Sequence, residues 1–322
     1  MDVQDIKKSI LVGDVFEQFR KIPDRSIDVV VTSPPYYGLR DYGFDGQIGT
    51  EETYQEYLHR LMRVMTECAR VLKSTGSCWV NIDDTYSGAA GIIKKRSALC
   101  VPERFAVRCV DNGWVLHNRC VWIKKRPMPY THTNRLQHRW EDLYFFSRST
   151  CFFNLDEIRV PHTTNRKPGK KSHKLKTYNR QKGPTGNTGL HEHQYSPGGK
   201  NPGDVMIFPP ANLSSKCAVC VWGDSVIDFR DGSEGPERYC SHCGGSWILD
   251  HGAAFPWRLP EYVVRAACPP GGVVLDPFLG SGSTALAAEV QGRAWCGIEA
   301  SPDHVSYAVK RLEWFRATGK TI

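Results

Sequence analysis

Apolar positions along the 322-residue chain follow two alternating periods. Short apolar runs that close on polar or proline-rich turns read as strands: "SILVGD" (Ser9 to Asp14), "DVVVTSPPY" (Asp28 to Tyr36), "GSCWVNID", "HNRCVWIKK" and "EDLYFFSRS". Among them, "TYQEYLHRLMRVMTECARVLK" sets Tyr57, Leu61, Val64, Met65, Cys68, Val71 and Leu72 on one helical face, and "VPERFAVRCVDNGW" reads as a helix with Pro102 near its start. The pattern fades near Val160 and resumes in a helix over "GAAFPWRLPEYVVRAAC". The last stretch, "GGVVLDPFLGSGSTALAAEVQGRAWCGIEAS", predicts a strand from Val273 to Leu275, a turn, a helix from near Ser283 to Gly292, and a strand from Ala294 to Ile298. A final helix spans Pro302 to Phe315. Strands alternating with helices predict an α/β fold on a mostly parallel sheet, and there is no internal repeat.

The C-terminal strand–turn–helix–strand unit carries nucleotide-binding logic. Asp276 ends the first strand, Gly280, Ser281 and Gly282 form a turn without bulk, and Glu299 ends the second strand 23 residues later. Such a turn lets a ligand approach the backbone, and the acid can accept from two ribose hydroxyls. Taken alone, the glycine turn is equally an ordinary tight connection. Two strands do not make a sheet, so the partners come from upstream, where strands ending on Asp14 and on Ser33-Pro34-Pro35-Tyr36 deliver their carboxyl ends. The order predicts a circularly permuted Rossmann-like sheet. The Ser-Pro-Pro-Tyr run stops a buried strand abruptly, since neither proline donates a ladder hydrogen bond; its plain alternative is a Pro-Pro turn with no further role.

The ordered set "GD", "TSPPY", "DPFLGSGST" and "GIE" resembles the β-class DNA amino-methyltransferases, over about residues 9–160 and 250–314. It departs at Ser283, where that family's usual run has a threonine. The resemblance implies S-adenosylmethionine as cofactor, with Asp276, Pro277, Phe278, Gly280, Ser281, Gly282 and Ser283 around its methionine end. It also implies Glu299 on the ribose, Asp14 near the adenine, and Phe255 and Pro256 on the other side. Ser33 Oγ and the Pro34 carbonyl would accept from an exocyclic amino group, Pro35 would stiffen the turn, and Tyr36 would offer the flipped base a stacking face. Ser33 resembles the cytosine-N4 subgroup; adenine-N6 remains open, because both amino groups need the same two acceptors. Cytosine-C5 chemistry needs a cysteine nucleophile, and Cys268-Pro269 stands in the wrong place and order.

Composition adds an insert. The chain carries a net charge of +8, and residues 162–200 hold nine basic residues against one acid, Glu192. Alone this is a solvated loop. Beside a DNA-modifying site, Arg166, Lys167, Lys170, Lys171, Lys174, Lys176, Arg180 and Lys182 become candidates for the phosphates of double-stranded DNA, as does Arg40 within "YGLRDYG", a lid or an ordinary turn with Tyr42. Cys217-x2-Cys220 and Cys240-x2-Cys243, nineteen residues apart, fit a closed structural zinc site of the zinc-ribbon type. The remaining eight of twelve cysteines read as core or incidental thiols. The expected organisation is a catalytic half over 1–160, a basic and zinc-ribbon target-recognition insert over 161–250, and a cofactor-binding half over 251–322.

No apolar run reaches membrane-span length and the start lacks a signal-peptide core, so the expected location is cytoplasmic, with no membrane partner. The recognition sequence, homodimer formation, a cognate restriction endonuclease and RNA as substrate stay open. A protein of another class, a DNA binder that keeps the fold without transferring methyl groups, differs by an assay of labelled-methyl incorporation.

Overall fold

The computed structural model describes residues 2–41, 43, 46–88, 93–125, 133–162, 198–209, 227–230, 237–240 and 255–321. Ten strands are present among them: β1 (Ser9–Val12), β2 (Ile27–Thr32), β3 (Leu72–Ile82), β4 (Val115–Lys124), β5 (Trp140–Ser147), β6 (Val205–Phe208), β7 (Ile227–Arg230), β8 (Glu237–Cys240), β9 (Val273–Asp276) and β10 (Ala294–Glu299). The helices are α1 (Val3–Ile6), α2 (Val15–Phe19), α3 (Tyr54–Val71), α4 (Val101–Asp111), α5 (Arg258–Ala267), α6 (Ser283–Val290) and α7 (Pro302–Thr318). Eight strands form one sheet in the order β1-β10-β9-β2-β3-β5-β4-β6. The first five run parallel, β5 is antiparallel to both its neighbours, and β6 pairs parallel with β4. The C-terminal strands β9 and β10 thus lie between the N-terminal strands β1 and β2.

The sheet is covered on both faces, as parallel strands require. Val30 of β2 faces a core with Leu61 and Val64 of α3 and Phe105 of α4; Val29 and Val31 face the opposite core with Leu259 and Val263 of α5, Leu286 of α6 and Leu312 of α7. Local signals set the ends. Thr53 caps α3 through the Glu56 N–H at 3.2 Å while the Glu56 carboxylate accepts from the Thr53 N–H at 3.3 Å, a reciprocal box. Helix α7 opens on Ser301-Pro302 and closes on Gly319 with φ +67°.

Two buried carboxylates fasten the middle of the sheet. Asp28 of β2 accepts from the Val273 N–H at 2.8 Å and pairs with Lys73 Nζ at 2.8 Å, joining β9, β2 and β3. At the other end, Asp276 is 1% exposed. It accepts from Thr32 Oγ1 at 2.7 Å, from Thr284 Oγ1 at 2.6 Å and from the Phe278 N–H at 3.0 Å. Burial pushes its carboxyl up to about 6, against the opposing pull of these three donors.

Two expectations shift. Helix α5 begins at Arg258 rather than near Gly252, and Phe255 and Pro256 precede it. Residues 205–208, expected inside the insert, form β6, an edge strand of the main sheet paired to Val121–Lys124. An antiparallel bridge between Val160 and Lys200 leads into it, and a side chain at Gly199 (φ +116°) would strike the Val160 carbonyl. Among the described residues, strands β7 and β8 pair with each other and with no other strand.

Asp28→Ala strands the buried Val273 N–H, and urea unfolding is expected to show a loss of about 2–3 kcal/mol. Asp276 gives a pH signature. Its native pKa is raised, so its contribution is fully present below the unfolded value near 4 and is lost as pH rises through about 6. Unfolding from pH 4 to 7 is expected to show the wild type losing about 3 kcal/mol relative to Asp276→Asn, which cannot titrate.

Candidate active site

A cleft opens at the carboxyl ends of β1, β10, β9 and β2. Ser33, Pro34, Pro35 and Tyr36 form one wall; Pro277, Phe278, Gly280, Ser281 and Ser283 form another, with Glu299, Asp14 and Phe255 completing the lining. The two motifs meet because β2 and β9 are neighbours, with Val29 opposite Val274 and Val30 opposite Leu275.

The Ser33–Tyr36 turn is held from outside. Tyr57 donates to the Pro35 carbonyl at 2.9 Å, and the Gly49 backbone packs so close that a Cβ there would lie 3.0 Å from the Tyr36 carbonyl. Arg60 holds the returning loop through the Gln47 and Gly46 carbonyls at 2.8 and 2.5 Å. Among the described residues no group donates to the Pro34 carbonyl. Arg40 lines the same cleft, and its carbonyl accepts from Gln47 Nε2 at 2.8 Å; Tyr42 lies outside the described residues.

The glycine turn is held from behind. Arg311 of α7, 1% exposed, donates to the Ser281 carbonyl and to Ser283 Oγ, both at 3.1 Å. Burial lowers its guanidinium to about 10. Ser283 Oγ donates onward to the Phe255 carbonyl at 3.0 Å, so the small hydroxyl at this position ties α6 to the opposite wall. Gly282 (φ +78°) does not line the cleft; a Cβ there would lie 3.0 Å from Ala308 Cβ, so its bareness serves the packing of α7. Asp276 and Pro256 are likewise outside the lining, and both oxygens of Asp276 are engaged by the fold.

Glu299 accepts from the Gly280 N–H at 2.7 Å through Oε2 and from the Ser301 N–H at 2.9 Å through Oε1, with His304 Nδ1 at 3.3 Å. Burial would raise its carboxyl, but His304 and the two N–H groups outweigh that and hold it below the usual range. It stays an anion with lone pairs left to accept from a ligand. Asp14 caps α2 through the Phe16 N–H at 2.9 Å and borders the cleft beside Gly13.

Side chains not singled out in the sequence stand behind Tyr36. Its hydroxyl contacts Glu141 Oε2 at 2.6 Å, Asn81 Nδ2 at 2.9 Å and Ser33 Oγ at 3.1 Å. Lys124 Nζ bridges Glu141 at 2.6 Å and Asp83 at 3.5 Å, and His138 contacts Asp83 at 2.8 Å. Burial first, then Glu141 and Asp83, push the Tyr36 phenol well up, so it is neutral. The readable signal was the acid pair Glu141 and Asp142 at the entrance of an otherwise apolar strand, each needing a buried partner.

Among the described residues no group of side chains has a metal-holding arrangement. Cys217, Cys220 and Cys243 lie outside the described residues, and Cys240 ends β8. The basic positions Arg166, Lys167, Lys170, Lys171, Lys174, Lys176, Arg180 and Lys182 lie outside them too. Eight cysteines are described and free, six of them buried. Cys268, buried at the amino end of β9 and away from the cleft, has its thiol pushed up to about 12 by burial. No described helix is long and apolar enough to cross a membrane.

Comparison with known proteins follows the same lines. The chain is 26% identical to the type II methyltransferase M.SfiI of Streptomyces fimbriatus over 92% of this chain and 89% of the relative. It is 27% identical to M.Cfr9I of Citrobacter freundii over 95% and 87%. Among solved structures, the PvuII DNA methyltransferase (cytosine-N4-specific) superposes with a TM-score of 0.62 at 20% identity, covering 94% of this chain and 84% of that one. TTHA0409 of Thermus thermophilus, a putative DNA modification methylase solved with S-adenosyl-L-methionine, superposes with a TM-score of 0.53 at 22% identity over 96% and 95%. The N6_N4_Mtase family model, described as DNA methylase, matches residues 27–310, and the chain belongs to that DNA methylase family.

Proposed function

We propose that the protein transfers a methyl group from S-adenosylmethionine to the exocyclic N4 amino group of a cytosine flipped out of duplex DNA. The observation that carries this reading is the shared cleft, with the Ser33–Tyr36 turn on one wall and the Gly280–Ser283 turn with Glu299 on the other. The residues fit the cofactor. Glu299 is an anion able to accept from two ribose hydroxyls, Gly280 (φ +52°) brings bare backbone to the ligand, Phe255 and Phe278 give apolar walls, and Asp14 borders the adenine end. Bound there, the cofactor supplies an electrophilic methyl group on a sulfonium.

The chain's part is positioning and charge. An exocyclic amino nitrogen is a poor nucleophile because its lone pair is delocalised into the ring. Ser33 Oγ and the Pro34 carbonyl, accepting its two hydrogens, favour a pyramidal nitrogen with the lone pair aimed across the cleft. Pro34 and Pro35 hold these acceptors so that little reorganisation is needed. The Tyr36 ring lines the cleft as a face for the base, offsetting part of the few kcal/mol that flipping costs. Serine at position 33 favours cytosine over adenine by its resemblance to the cytosine-N4 subgroup.

The insert supplies the rest of the reading. Arg40 and the basic residues from Arg166 to Lys182 neutralise DNA phosphates. Cys217, Cys220, Cys240 and Cys243 hold a structural zinc ion that compensates for the insert's thin apolar content. The strand order, with the cofactor half entering between N-terminal strands, supports reading the sheet as a circularly permuted methyltransferase sheet. A cognate restriction endonuclease is the expected functional partner.

Nucleoside mass spectrometry of DNA from expressing cells should detect N4-methyldeoxycytidine. N6-methyldeoxyadenosine instead would move the target to adenine, and no modified base despite bound cofactor would leave a DNA binder. Ser33→Ala should slow single-turnover methylation about 100-fold while cofactor affinity stays unchanged. Metal analysis of purified protein should find about one zinc per chain, lost in the double variant Cys217→Ser, Cys220→Ser.

A further inference from the structure

Strand β5 opens on two acids, Glu141 and Asp142, and alternation sends them to opposite faces. Asp142 pairs with Arg119 at 2.6 Å. Glu141, 7% exposed, lies behind the cleft wall without lining it. The hydrogen-bond inventory around it admits one arrangement of protons. Lys124 holds Glu141 as an anion, and an anionic carboxylate only accepts. The single Tyr36 hydroxyl hydrogen therefore points to Glu141 Oε2, at 2.6 Å. Asn81 Nδ2, placed 2.6 Å from the same carboxylate oxygen and 2.9 Å from the Tyr36 oxygen, donates to both. Ser33 Oγ, 3.1 Å from the Tyr36 oxygen, must then be a donor as well. The Ser33 hydrogen is aimed away from the cleft, and its lone pairs are left for the cleft side.

We propose that Ser33, Tyr36 and Glu141 form a proton relay, with Glu141 the terminal acceptor of the proton that the target amino group loses on methylation. The inference rests on the methyl-transfer reading above. The amino nitrogen's lone pair forms the bond to the methyl carbon, and the electron pair of the broken carbon–sulfur bond stays on sulfur, which becomes a neutral thioether. The nitrogen is then a cation with one proton too many. That proton passes to Ser33 Oγ, the Ser33 hydrogen passes to the Tyr36 oxygen, and the Tyr36 hydrogen passes to Glu141 Oε2. Charge balances: one cation on the base and one carboxylate anion become two neutral groups. Because the carboxylate is in place before reaction, its field also favours positive charge growing on the nitrogen. Lys124 and Asn81 fix Glu141 from β4 and β3, while Asp83 and His138 complete the charged groups facing it.

The test is single-turnover methylation of duplex DNA by the whole protein, with DNA and cofactor affinities measured alongside. Glu141→Gln keeps the shape and removes the acceptor; Tyr36→Phe keeps the ring and cuts the relay. Each is expected to slow the single-turnover step about 100-fold, with both dissociation constants within about threefold of wild type. Glu141→Asp, which restores the charge at a longer reach, should recover part of the rate. A Glu141→Gln protein with the wild-type rate overturns the relay, as does a loss confined to DNA or cofactor affinity. If Glu141→Gln fails to give a cooperative melt, Tyr36→Phe decides by the same criteria. A wild-type protein that binds cofactor but methylates no DNA overturns the reading of the whole site, and the relay with it; an active wild type with unaffected variants overturns the relay alone.

Discussion

Everything in the cleft depends on a short parallel register between two strands far apart in the chain. Strand β2 meets β9 through Val29 with Val274 and Val30 with Leu275, and this contact alone sets the Ser33 turn beside the glycine turn. So short a register needs reinforcement at both ends, and a buried carboxylate supplies it at each. Asp28 binds the first N–H of β9, and Asp276 takes hydroxyls from Thr32 at the end of β2 and from Thr284 in α6. The Asp276 contacts make the two motifs one rigid object rather than two loops that happen to be close.

The same economy runs through the other buried anions, each compensated differently. Glu299 is held ionised by backbone N–H groups and His304, which suits a group that must accept from a ligand. Asp276 is met mainly by hydroxyls, whose pull does not offset its burial, and so its proton affinity rises. Glu141 is matched by an ammonium group, Lys124, and touches the cleft only through two hydroxyls. Strand direction makes this last arrangement available. Because β5 runs antiparallel to β3, its amino end reaches the same edge as the carboxyl ends of the parallel strands, so a residue at its entrance can back the site.

Much of this was legible in the chain because the signals were local. The apolar run into Ser33-Pro34-Pro35, the glycine turn after Asp276 and the acid at Glu299 each announce a strand end that borders the cleft. The division of labour within those motifs was not legible. Gly282 and Asp276 face the fold rather than the cleft, since that depends on where α7 and β2 pack against the turn. Arg311 lay hidden among the charged residues of α7, and its burial follows only from the approach of that helix to the glycine turn. Asn81, Lys124, His138 and Glu141 are scattered along the chain, the first and last of them 60 residues apart, and become neighbours through the β3-β5-β4 register, which no local period encodes. Strand β6 was missed because four residues in a polar surround carry too little pattern to stand out.

The bridge between Val160 and Lys200 has a consequence of another kind. Val160 and Lys200, on either side of a stretch outside the described residues, are joined there, with glycine required at 199, before β6 is laid along β4. Lengthening a tethered excursion is cheap: each doubling costs about 0.6 kcal/mol in closure entropy. The stretch between those two residues can therefore differ in length at little cost to the sheet it interrupts.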